Sequence, residues 1–278
     1  MTSNISDNAH DDNLSANADE PGRQTLRLTE HASRGTGEVV LVCDQVSKNF
    51  AGVPALSNVS LEVRKAEVVG LIGPNGSGKT TLLNCISGVL SPESGRILIE
   101  NREITGRPDY VCAGYGISRT FQNLRLFGNL SVLDNLLIGG HQMGTLQHPL
   151  SRLRKRKERA SELSELLELT SLRLTIAGSL AYGLQRRVEI ARALMSEPRV
   201  LLLDEPAAGM NHVEADRLGE TIGRLRSLNI GILLVEHNVA LVTSVSNHLV
   251  VLDAGQELAQ GAAHDVMTNP EVVNAYLG

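Results

Sequence analysis

The segment Gly73-Pro-Asn-Gly-Ser-Gly-Lys-Thr80 constrains the fold of this chain more than any other stretch. It matches G-x-x-x-x-G-K-[ST], and it lies between an apolar run at residues 68–72 and an amphipathic run at residues 80–90. Glycines let successive backbone N–H groups turn inward and meet the oxygens of a polyphosphate, and a following helix directs its positive dipole end at the same anion. The pattern therefore predicts a strand, a phosphate-binding loop and a helix in succession.

The same loop supplies the candidate nucleotide ligands. The ammonium group of Lys79 can reach the β and γ phosphates, and the hydroxyl of Thr80 can ligate Mg²⁺. A glycine turn that binds nothing is the alternative, which the flanking strand and helix patterns disfavour. The residues predicted to bind the nucleotide here are Gly73, Pro74, Asn75, Gly76, Ser77, Gly78, Lys79, Thr80 and Thr81.

Composition excludes several classes of protein. The chain has 278 residues, 42% of them hydrophobic, which suits one globular domain with at most a small satellite. A formal net charge of −5 and an aromatic content of 3% provide no basic or stacking surface, so we expect no nucleic-acid partner. No apolar run approaches the roughly 20 residues that a membrane-spanning helix needs. Cys43, Cys85 and Cys112 fit no metal-binding spacing and are expected to be buried in a reducing compartment.

The first 37 residues differ from the rest in composition. They are rich in Asn, Asp, Ser and Ala, and they lack the apolar core of a secretory signal. Such a segment cannot bury enough apolar surface to offset the entropy lost on ordering. We therefore predict a disordered tail at residues 1–37 and a folded domain at residues 38–278.

Strand-like runs surround the glycine loop. Short β-type runs between residues 39 and 63 predict a small antiparallel sheet, and Phe50 is its one aromatic residue. Phe50 could stack on an adenine ring or be an ordinary core phenylalanine. Strand and helix patterns alternate beyond the loop, which predicts an α/β core with a mostly parallel sheet.

Two apolar strands end in polar residues that suit phosphate chemistry. Residues 200–203 precede Asp204, which can hold Mg²⁺ through its water shell, and Glu205, which can polarise a water molecule for attack on a γ-phosphate. Residues 230–235 precede His237, which can donate a hydrogen bond to that phosphate; a core histidine is the alternative.

Three further segments have weaker signals. Gln122 follows an apparent strand and would, taken alone, be a surface residue. The segment Leu180-Ala-Tyr-Gly-Leu184 opens a helix, which is a second anion-binding geometry. The basic run at residues 152–159 predicts the solvated start of an amphipathic helix, and contact with anionic lipid or a membrane partner is the alternative.

Taken together and in this order, the motifs resemble those of the ATP-binding subunit of an ABC transporter over residues 38–278. Residues 73–81 match its Walker A loop, Gln122 its Q-loop, residues 180–184 its signature motif, residues 201–205 its Walker B strand, residues 208–211 its D-loop and His237 its switch histidine. The resemblance implies an α/β fold: a P-loop NTPase (RecA-like) core, an N-terminal antiparallel β subdomain and an inserted helical subdomain at roughly residues 111–180.

The resemblance also implies ATP and Mg²⁺ as ligands and a role for each motif. Glu205 would be the general base, His237 and Lys79 would contact the phosphates, and Phe50 would stack on the adenine. Thr80, Gln122 and Asp204 would surround the Mg²⁺. Two chains would bind head to tail, and each would present its signature and D-loop to the ATP of the other. The residues so presented would be Ala181, Tyr182, Gly183, Leu184 and Asn211.

Finer features resemble importers of branched-chain amino acids, in particular the larger of their two ATPases. These features are residues 118–127, 181–183, 204–209, 235–237 and 269–277. The implied partners are a second ATPase, two membrane-spanning permease subunits and, indirectly, a solute-binding protein, at the inner face of the cytoplasmic membrane. An importer of urea, short amides or other small solutes, an ABC exporter and a non-transport ABC ATPase are the alternatives.

The chain departs from the general pattern of this family at four positions. Ala181 replaces a serine whose hydroxyl would contact the γ-phosphate, and Leu184 replaces a polar residue. Asn211 replaces a common Asp, and Ala66 replaces a common Gly. We nevertheless expect ATPase activity, because backbone N–H groups and the helix dipole are still available at the signature segment.

Overall fold

Five parallel strands form the centre of the fold, and a sixth, antiparallel strand closes one edge. Their order across the sheet is β10 (Gln256–Ala262), β9 (His248–Asp253), β3 (Val68–Ile72), β8 (Gly231–Val235), β7 (Val200–Asp204) and β6 (Ile117–Arg119). Leu201 and Leu203 of β7 face one hydrophobic core, whereas Val200 and Leu202 face another. Because both faces of the central strands are covered, their sequences are apolar throughout. The predicted α/β core with a mostly parallel sheet is confirmed.

An antiparallel sheet covers one face of this core. Its order is β2 (Val53–Arg64), β1 (Val39–Phe50), β4 (Ser94–Ile99) and β5 (Arg102–Glu103). The predicted runs were short, yet β1 and β2 each have 12 residues, because irregularities in the register absorb the breaks in the pattern. Gln45 and Asn58, with φ values of +50° and +54°, lie at such irregularities.

Nine α-helices occur in the parts of the chain that the computed structural model describes, residues 37–140 and 149–277. They are α1 (Lys79–Ile86), α2 (Asp109–Gly114), α3 (Val132–Gly139), α4 (Pro149–Leu166), α5 (Tyr182–Leu194), α6 (His212–Leu225), α7 (Val239–Val245), α8 (Ala263–Thr268) and α9 (Pro270–Leu277). The predicted tail, except for Gly37, lies outside these residues. All described residues belong to one compact unit, Ala32–Gly278.

The range predicted for a helical subdomain, roughly residues 111–180, contains two kinds of structure. Its first part includes β6, which pairs in parallel with β7 and so belongs to the central sheet. Helices α3 and α4 follow, and they pack on each other and on α5. Ser131 caps α3 by accepting a hydrogen bond from the backbone N–H of Asp134 at 3.1 Å, as its position before an apolar run predicts.

Two further sequence predictions can be compared with the fold. The sequence after Asp253 predicts only a turn at Ala254-Gly255 and a short terminal helix, but this part of the chain forms β10 and two helices, α8 and α9. The polar strand β10 lacks an apolar run and is fixed instead by its pairing with β9.

Cys43, Cys85 and Cys112 are all buried with free thiols, as expected. Within residues 37–140 and 149–277, no helix has the length and apolar character of a membrane span.

Candidate functional site

The glycine loop connects β3 to α1 at the carboxyl edge of the parallel sheet, where ligands of such sheets bind. Gly73 must be a glycine, because a Cβ there would lie 2.1 Å from the carbonyl oxygen of Leu252 at the end of β9. Gly78, with a φ of +102°, is the N-cap residue of α1, and a Cβ on it would lie 2.5 Å from the carbonyl oxygen of Ala55. The loop is therefore held closely between β9 and the start of β2.

Lys79 lies within this loop with its side chain folded back over the backbone. Its Nζ donates to the carbonyl oxygens of Gly73 at 2.9 Å and Pro74 at 2.8 Å, and lies 3.4 Å from the hydroxyl of Ser77. Burial lowers the pKa of Lys79, although the nearby carboxylates of Glu205 and Asp204 act in the opposite direction. The ammonium group thus lies beside both acids at the mouth of the loop.

The acidic pair lies at the carboxyl end of β7. Asp204 is the last residue of that strand, and Glu205 begins the turn that follows. Glu205 has a φ of +46°, in the left-handed region that residues other than glycine seldom adopt. Its backbone N–H donates to the carbonyl of Val235, the last residue of β8, at 2.8 Å. The backbone of Glu205 is therefore tied to the strand that precedes His237.

Three residues predicted to belong to the site meet at the Glu205 carboxylate. Gln122 Nε2 donates to Oε2 at 2.8 Å, and His237 Nε2 lies 2.9 Å from Oε1. An ionised carboxylate can only accept, so this contact requires a proton on His237 Nε2. The Glu205 side chain is 15% exposed and that of His237 is 43% exposed. A carboxylate oriented by two neighbours and still reached by solvent is suited to accept a proton from water.

Asp204 has a cationic partner that the sequence did not reveal. Arg119 Nη2 donates to Asp204 Oδ2 at 2.8 Å, while Nη1 donates to Asn84 Oδ1 at 2.7 Å and to Ser87 Oγ at 3.0 Å. The side chains of Arg119 and Asp204 are only 8% and 7% exposed. One guanidinium group thus joins β6, β7 and the helix α1 beneath the loop.

We expect Arg119→Met to lower the free energy of unfolding by about 3–5 kcal/mol, because it leaves the buried Asp204 carboxylate without its counter-charge. Urea unfolding followed by circular dichroism measures the loss. Arg96→Met is the matched control, since Arg96 pairs with Asp44 at 3.0 Å but its side chain is 47% exposed. A loss of about 0–1 kcal/mol is expected for the control. Equal losses in the two variants would contradict the difference in burial.

A second buried arginine joins the Q-loop to the signature helix α5. Arg186 is fully buried, and it donates to the backbone carbonyls of Phe121 and Gln122, each at 2.8 Å. It also forms an ion pair with Glu189 at 2.6 Å and donates to Tyr182 Oη at 3.1 Å. The backbone of Gln122 is therefore fixed to the same helix that the signature residues begin.

The signature segment borders a surface cleft that is separate from the glycine loop. Ala181 is the N-cap of α5 and provides no side-chain hydrogen bond. Leu184 packs against the hydrophobic core, which explains why an apolar residue is tolerated there. A cleft of about 390 Å³ borders this segment, and no residue of the glycine loop lines it. The cleft is lined by Glu168, Ala181, Gly183, Leu184, Arg187, Glu214, Arg217, Leu218 and Glu220.

The predicted D-loop residue, Asn211, begins α6. Its side chain accepts from the backbone N–H of Glu214 at 3.0 Å, and the Glu214 carboxylate accepts from the backbone N–H of Asn211 at 3.1 Å. This reciprocal pair is a capping box, a role that Asn and Asp fill about equally well. The replacement of Asp by Asn is therefore accommodated locally.

Phe50 ends β1 at the tip of the β1–β2 hairpin. Its ring is 46% exposed, so it is not an ordinary core residue. It pairs with Val53, two residues before Ala55, whose carbonyl approaches Gly78. The exposed ring thus lies on the hairpin that borders the glycine loop.

The side chains near the loop fit Mg²⁺ that arrives with a nucleotide. In the described part of the chain, no group of three or more His, Cys, Asp or Glu residues could hold a metal ion on its own. Mg²⁺ usually keeps several waters and takes one or two carboxylates together with phosphate oxygens. Arg119 engages Oδ2 of Asp204, and the hydroxyl of Thr80 is exposed in the first turn of α1. A carboxylate and a hydroxyl beside a phosphate loop are such a donor set.

Sequence reasoning missed Arg119, Arg186 and Glu236. Each touches a segment far away in the chain, and none belongs to a short motif that names its partner. Glu236 directly precedes His237, is 3% exposed and accepts three backbone N–H groups. A charged residue directly after an apolar strand was the one available signal.

Comparison with known proteins gives consistent matches. The family model described as ABC transporter matches residues 56–208, which include the glycine loop, Gln122, the signature segment and both acids. The high-affinity branched-chain amino acid transport ATP-binding protein BraF of Pseudomonas aeruginosa is 43% identical over 249 residues, which are 86% of this chain and 98% of BraF. LivG of Escherichia coli, described in the same words, is 42% identical over 239 residues, 82% of this chain and 94% of LivG.

Solved structures match as well. The ADP conformation of MJ1267, an ATP-binding cassette of an ABC transporter, has a TM-score of 0.77 and 36% identity, and the match covers 87% of this chain and 99% of that one. The structure of cbiO1 from Clostridium perfringens, part of the ABC transporter complex cbiONQ, has a TM-score of 0.75 and 28% identity, covering 85% and 93%. The fold and the arrangement of the site residues are therefore consistent with these relatives.

Proposed function

Because the chain belongs to the ABC transporter family, we propose that it hydrolyses ATP to energise the import of branched-chain amino acids across a membrane. The observation that carries this proposal is the meeting of Gln122, Glu205 and His237 at the mouth of a phosphate loop. The cargo is inferred from BraF and LivG, which are similar to this chain over nearly their whole length.

The chemistry we propose begins with ATP bound by the inward N–H groups of the loop, the dipole of α1 and the ammonium group of Lys79. Bound Mg²⁺, near Asp204, Thr80 and Gln122, would neutralise charge that develops on the phosphates. Glu205 would accept the proton of the attacking water at a lone pair that neither Gln122 nor His237 occupies, since each of its oxygens has one partner. His237 is the more exposed of the two partners, and its Nε2–H could turn to the γ-phosphate.

We propose that the full site needs a second ATPase subunit. The signature residues Ala181 to Leu184 lie on a cleft that no residue of the glycine loop lines, so they suit an ATP held by a partner chain. The helix α5 has 13 residues, and its first turn presents free backbone N–H groups to an anion. Asn211, at the start of α6, would lie at the same interface.

The family suggests where this ATPase works and with what partners. We propose that it binds two membrane-spanning permease subunits at the inner face of the cytoplasmic membrane, through the helices that follow Gln122. A solute-binding protein would deliver the amino acid to the permease from the other side. ATP binding would close the dimer and hydrolysis would reopen it, since each state differs in its contacts with the γ-phosphate.

The proposal is tested by using the full chain as bait with detergent-solubilised native membranes, followed by mass spectrometry. We expect two membrane-spanning subunits, a second ATPase and a solute-binding protein, and this last should bind leucine, isoleucine or valine rather than urea or amides. Recovery of ribosomal or DNA-repair proteins without any membrane subunit would contradict the transport function and leave the ATPase chemistry standing.

We expect Phe50→Ala to weaken ATP binding roughly three- to tenfold, because a stacked aromatic pair contributes about 0.5–1.5 kcal/mol. Equilibrium binding of ATP to the isolated chain measures the effect. Phe127→Ala is the matched control, since Phe127 is similarly exposed, at 48% against 46%, but lies beyond the Q-loop. An unchanged affinity in Phe50→Ala would show that the adenine ring rests elsewhere.

A further inference from the structure

We infer that Glu236 is a positioning residue, which holds the backbone around Glu205 and the backbone of His237 in one fixed arrangement. The inference rests on the proposed function, because it assigns Glu236 a role in ATP hydrolysis through Glu205. Glu236 follows β8 directly, and although it lies in the segment 235–237 that contributes to the family resemblance, that resemblance assigns it no role.

The Glu236 carboxylate is buried and bonded only to backbone N–H groups of two active-site segments. Its Oε1 accepts from Ala207 at 2.6 Å, and its Oε2 accepts from His237 at 3.1 Å and Asn238 at 3.4 Å. Within residues 37–140 and 149–277, no cation forms an ion pair with it. Hydrogen bonds between N–H groups and an ionised acceptor are stronger than those between neutral groups, so these bonds fix both segments firmly.

One of these segments carries Glu205. Its backbone N–H is bonded to Val235, and two residues later the N–H of Ala207 is bonded to Glu236. The turn is closed by the N–H of Ala208, which donates to the carbonyl of Glu205 at 3.1 Å. A residue with φ near +46° persists in this strained region only where its surroundings hold it. The bond from Ala207 is one of the two long-range bonds that do so.

The other segment carries His237. Glu236 accepts from the N–H of His237, and also from that of Asn238, whose side chain caps α7 by accepting from Leu241 at 3.1 Å. A single carboxylate thus joins the turn after β7 to the start of α7. Glu205 belongs to the first of these two segments and His237 to the second, and their side chains are 2.9 Å apart.

The carboxylate is required because of the number of donors that converge on it. A carboxylate has two acceptor oxygens, whereas glutamine has one oxygen and an NH₂ group that would face an N–H donor. Burial raises the pKa of Glu236, although the three N–H groups act in the opposite direction. Three N–H donors that converge on the two oxygens of one buried side chain are consistent with a role that a side chain with a single acceptor oxygen would not fill.

The test compares Glu236→Gln and Glu236→Asp in the full chain. Glutamine can keep the bond to Ala207 or the bonds to residues 237 and 238 but not both sets, because its NH₂ group must face one of them. Aspartate can keep the local bonds to residues 237 and 238 but is too short to reach Ala207. We expect kcat for ATP hydrolysis to fall about ten- to a hundredfold in both variants, since a 1 Å misplacement costs that much. KM for ATP should stay within about twofold, because the lost contacts matter only in the transition state.

Glu67→Gln is the matched control. Glu67 is also 3% exposed and also accepts a backbone N–H, from Arg64 at 2.8 Å, but it precedes β3 at the edge of the sheet away from the site. It should lose stability with kcat unchanged. Comparable kcat losses in Glu67→Gln and the Glu236 variants would reduce Glu236 to a structural role and overturn the inference. A Glu236→Asp variant that keeps kcat within about twofold would also overturn the inference. If Glu236→Gln does not fold, the result for Glu236→Asp alone settles the test.

Glu205→Gln, measured alongside, separates this inference from the proposed function. If the parent hydrolyses ATP and Glu205→Gln does not, the function stands, and the Glu236 variants alone decide the positioning role. If Glu205→Gln keeps the parent rate, the assignment of Glu205 as the base fails and the inference falls with it, while the ATPase function stands. If the parent shows no ATPase activity, the proposed function itself fails.

Discussion

Glu205→Gln should lower the rate of ATP hydrolysis by roughly 10²–10⁴-fold while leaving ATP binding intact. The amide keeps the shape of the carboxylate but cannot take a proton from water. Glu205 does not belong to the glycine loop, so the groups that hold the phosphates are unchanged. With binding retained and turnover blocked, the ATP-bound dimer should accumulate.

Two measurements check this expectation. Phosphate release gives the loss of rate, and size-exclusion chromatography with ATP and Mg²⁺ detects the dimer. Glu158→Gln is a control for the chemical change itself, because Glu158 lies exposed on α4 and pairs with Arg154 at 2.8 Å. Hydrolysis at the parent rate would show that Glu205 is not the base. Loss of ATP binding would show instead that Glu205 serves binding or folding.

Lys79→Ala should weaken both ATP binding and ATP hydrolysis. We expect ATP affinity to fall at least about tenfold and kcat to fall about 10²–10³-fold, because a preorganised charge on the transferred group is lost. The Nζ of Lys79 is held between the carbonyls of Gly73 and Pro74, so the ammonium group is already placed before the nucleotide arrives. No other cationic side chain belongs to the loop, residues 73–80.

Equilibrium dialysis with labelled ATP and phosphate release measure the two losses. Lys65→Ala is the matched control, because Lys65 is held by Glu38 at 2.6 Å and precedes β3 at the edge of the sheet away from the site. Parental affinity in Lys79→Ala would mean that backbone N–H groups alone hold the phosphates. The two variants should therefore differ: Glu205→Gln loses hydrolysis and keeps ATP affinity, whereas Lys79→Ala loses part of both.

Local patterns predicted the parts of the fold whose cause is local. The glycine loop was predictable because Gly73 and Gly78 meet steric limits that no other residue satisfies. The strand before Asp204 was predictable because a strand covered on both faces must be apolar throughout. The strand β10 was not, since its residues are polar and only the neighbouring β9 makes it extended.

Contacts between residues far apart in the sequence could not be predicted, because local patterns do not determine them. Arg119 and Asp204 are 85 residues apart, Arg186 and Gln122 are 64 apart, and Glu236 and Ala207 are 29 apart. The motifs locate one member of each pair, but pairing depends on which loops the sheet order brings together. The predicted roles of Phe50, Gln122, Asn211 and the signature residues in ATP binding remain predictions, and the Phe50→Ala variant tests the first of them.

The hydrogen bonds from Arg186 to the carbonyls of Phe121 and Gln122 would couple the two ATP sites of a dimer. In the proposed head-to-tail dimer, Gln122 would lie near the ATP that is bound to its own chain, while α5 of the same chain would face the ATP that is bound to the partner chain. A fully buried guanidinium group joins these two elements, so displacement at one ATP is transmitted to the other. We therefore expect cooperative hydrolysis, with a Hill coefficient for ATP above 1 in the assembled dimer.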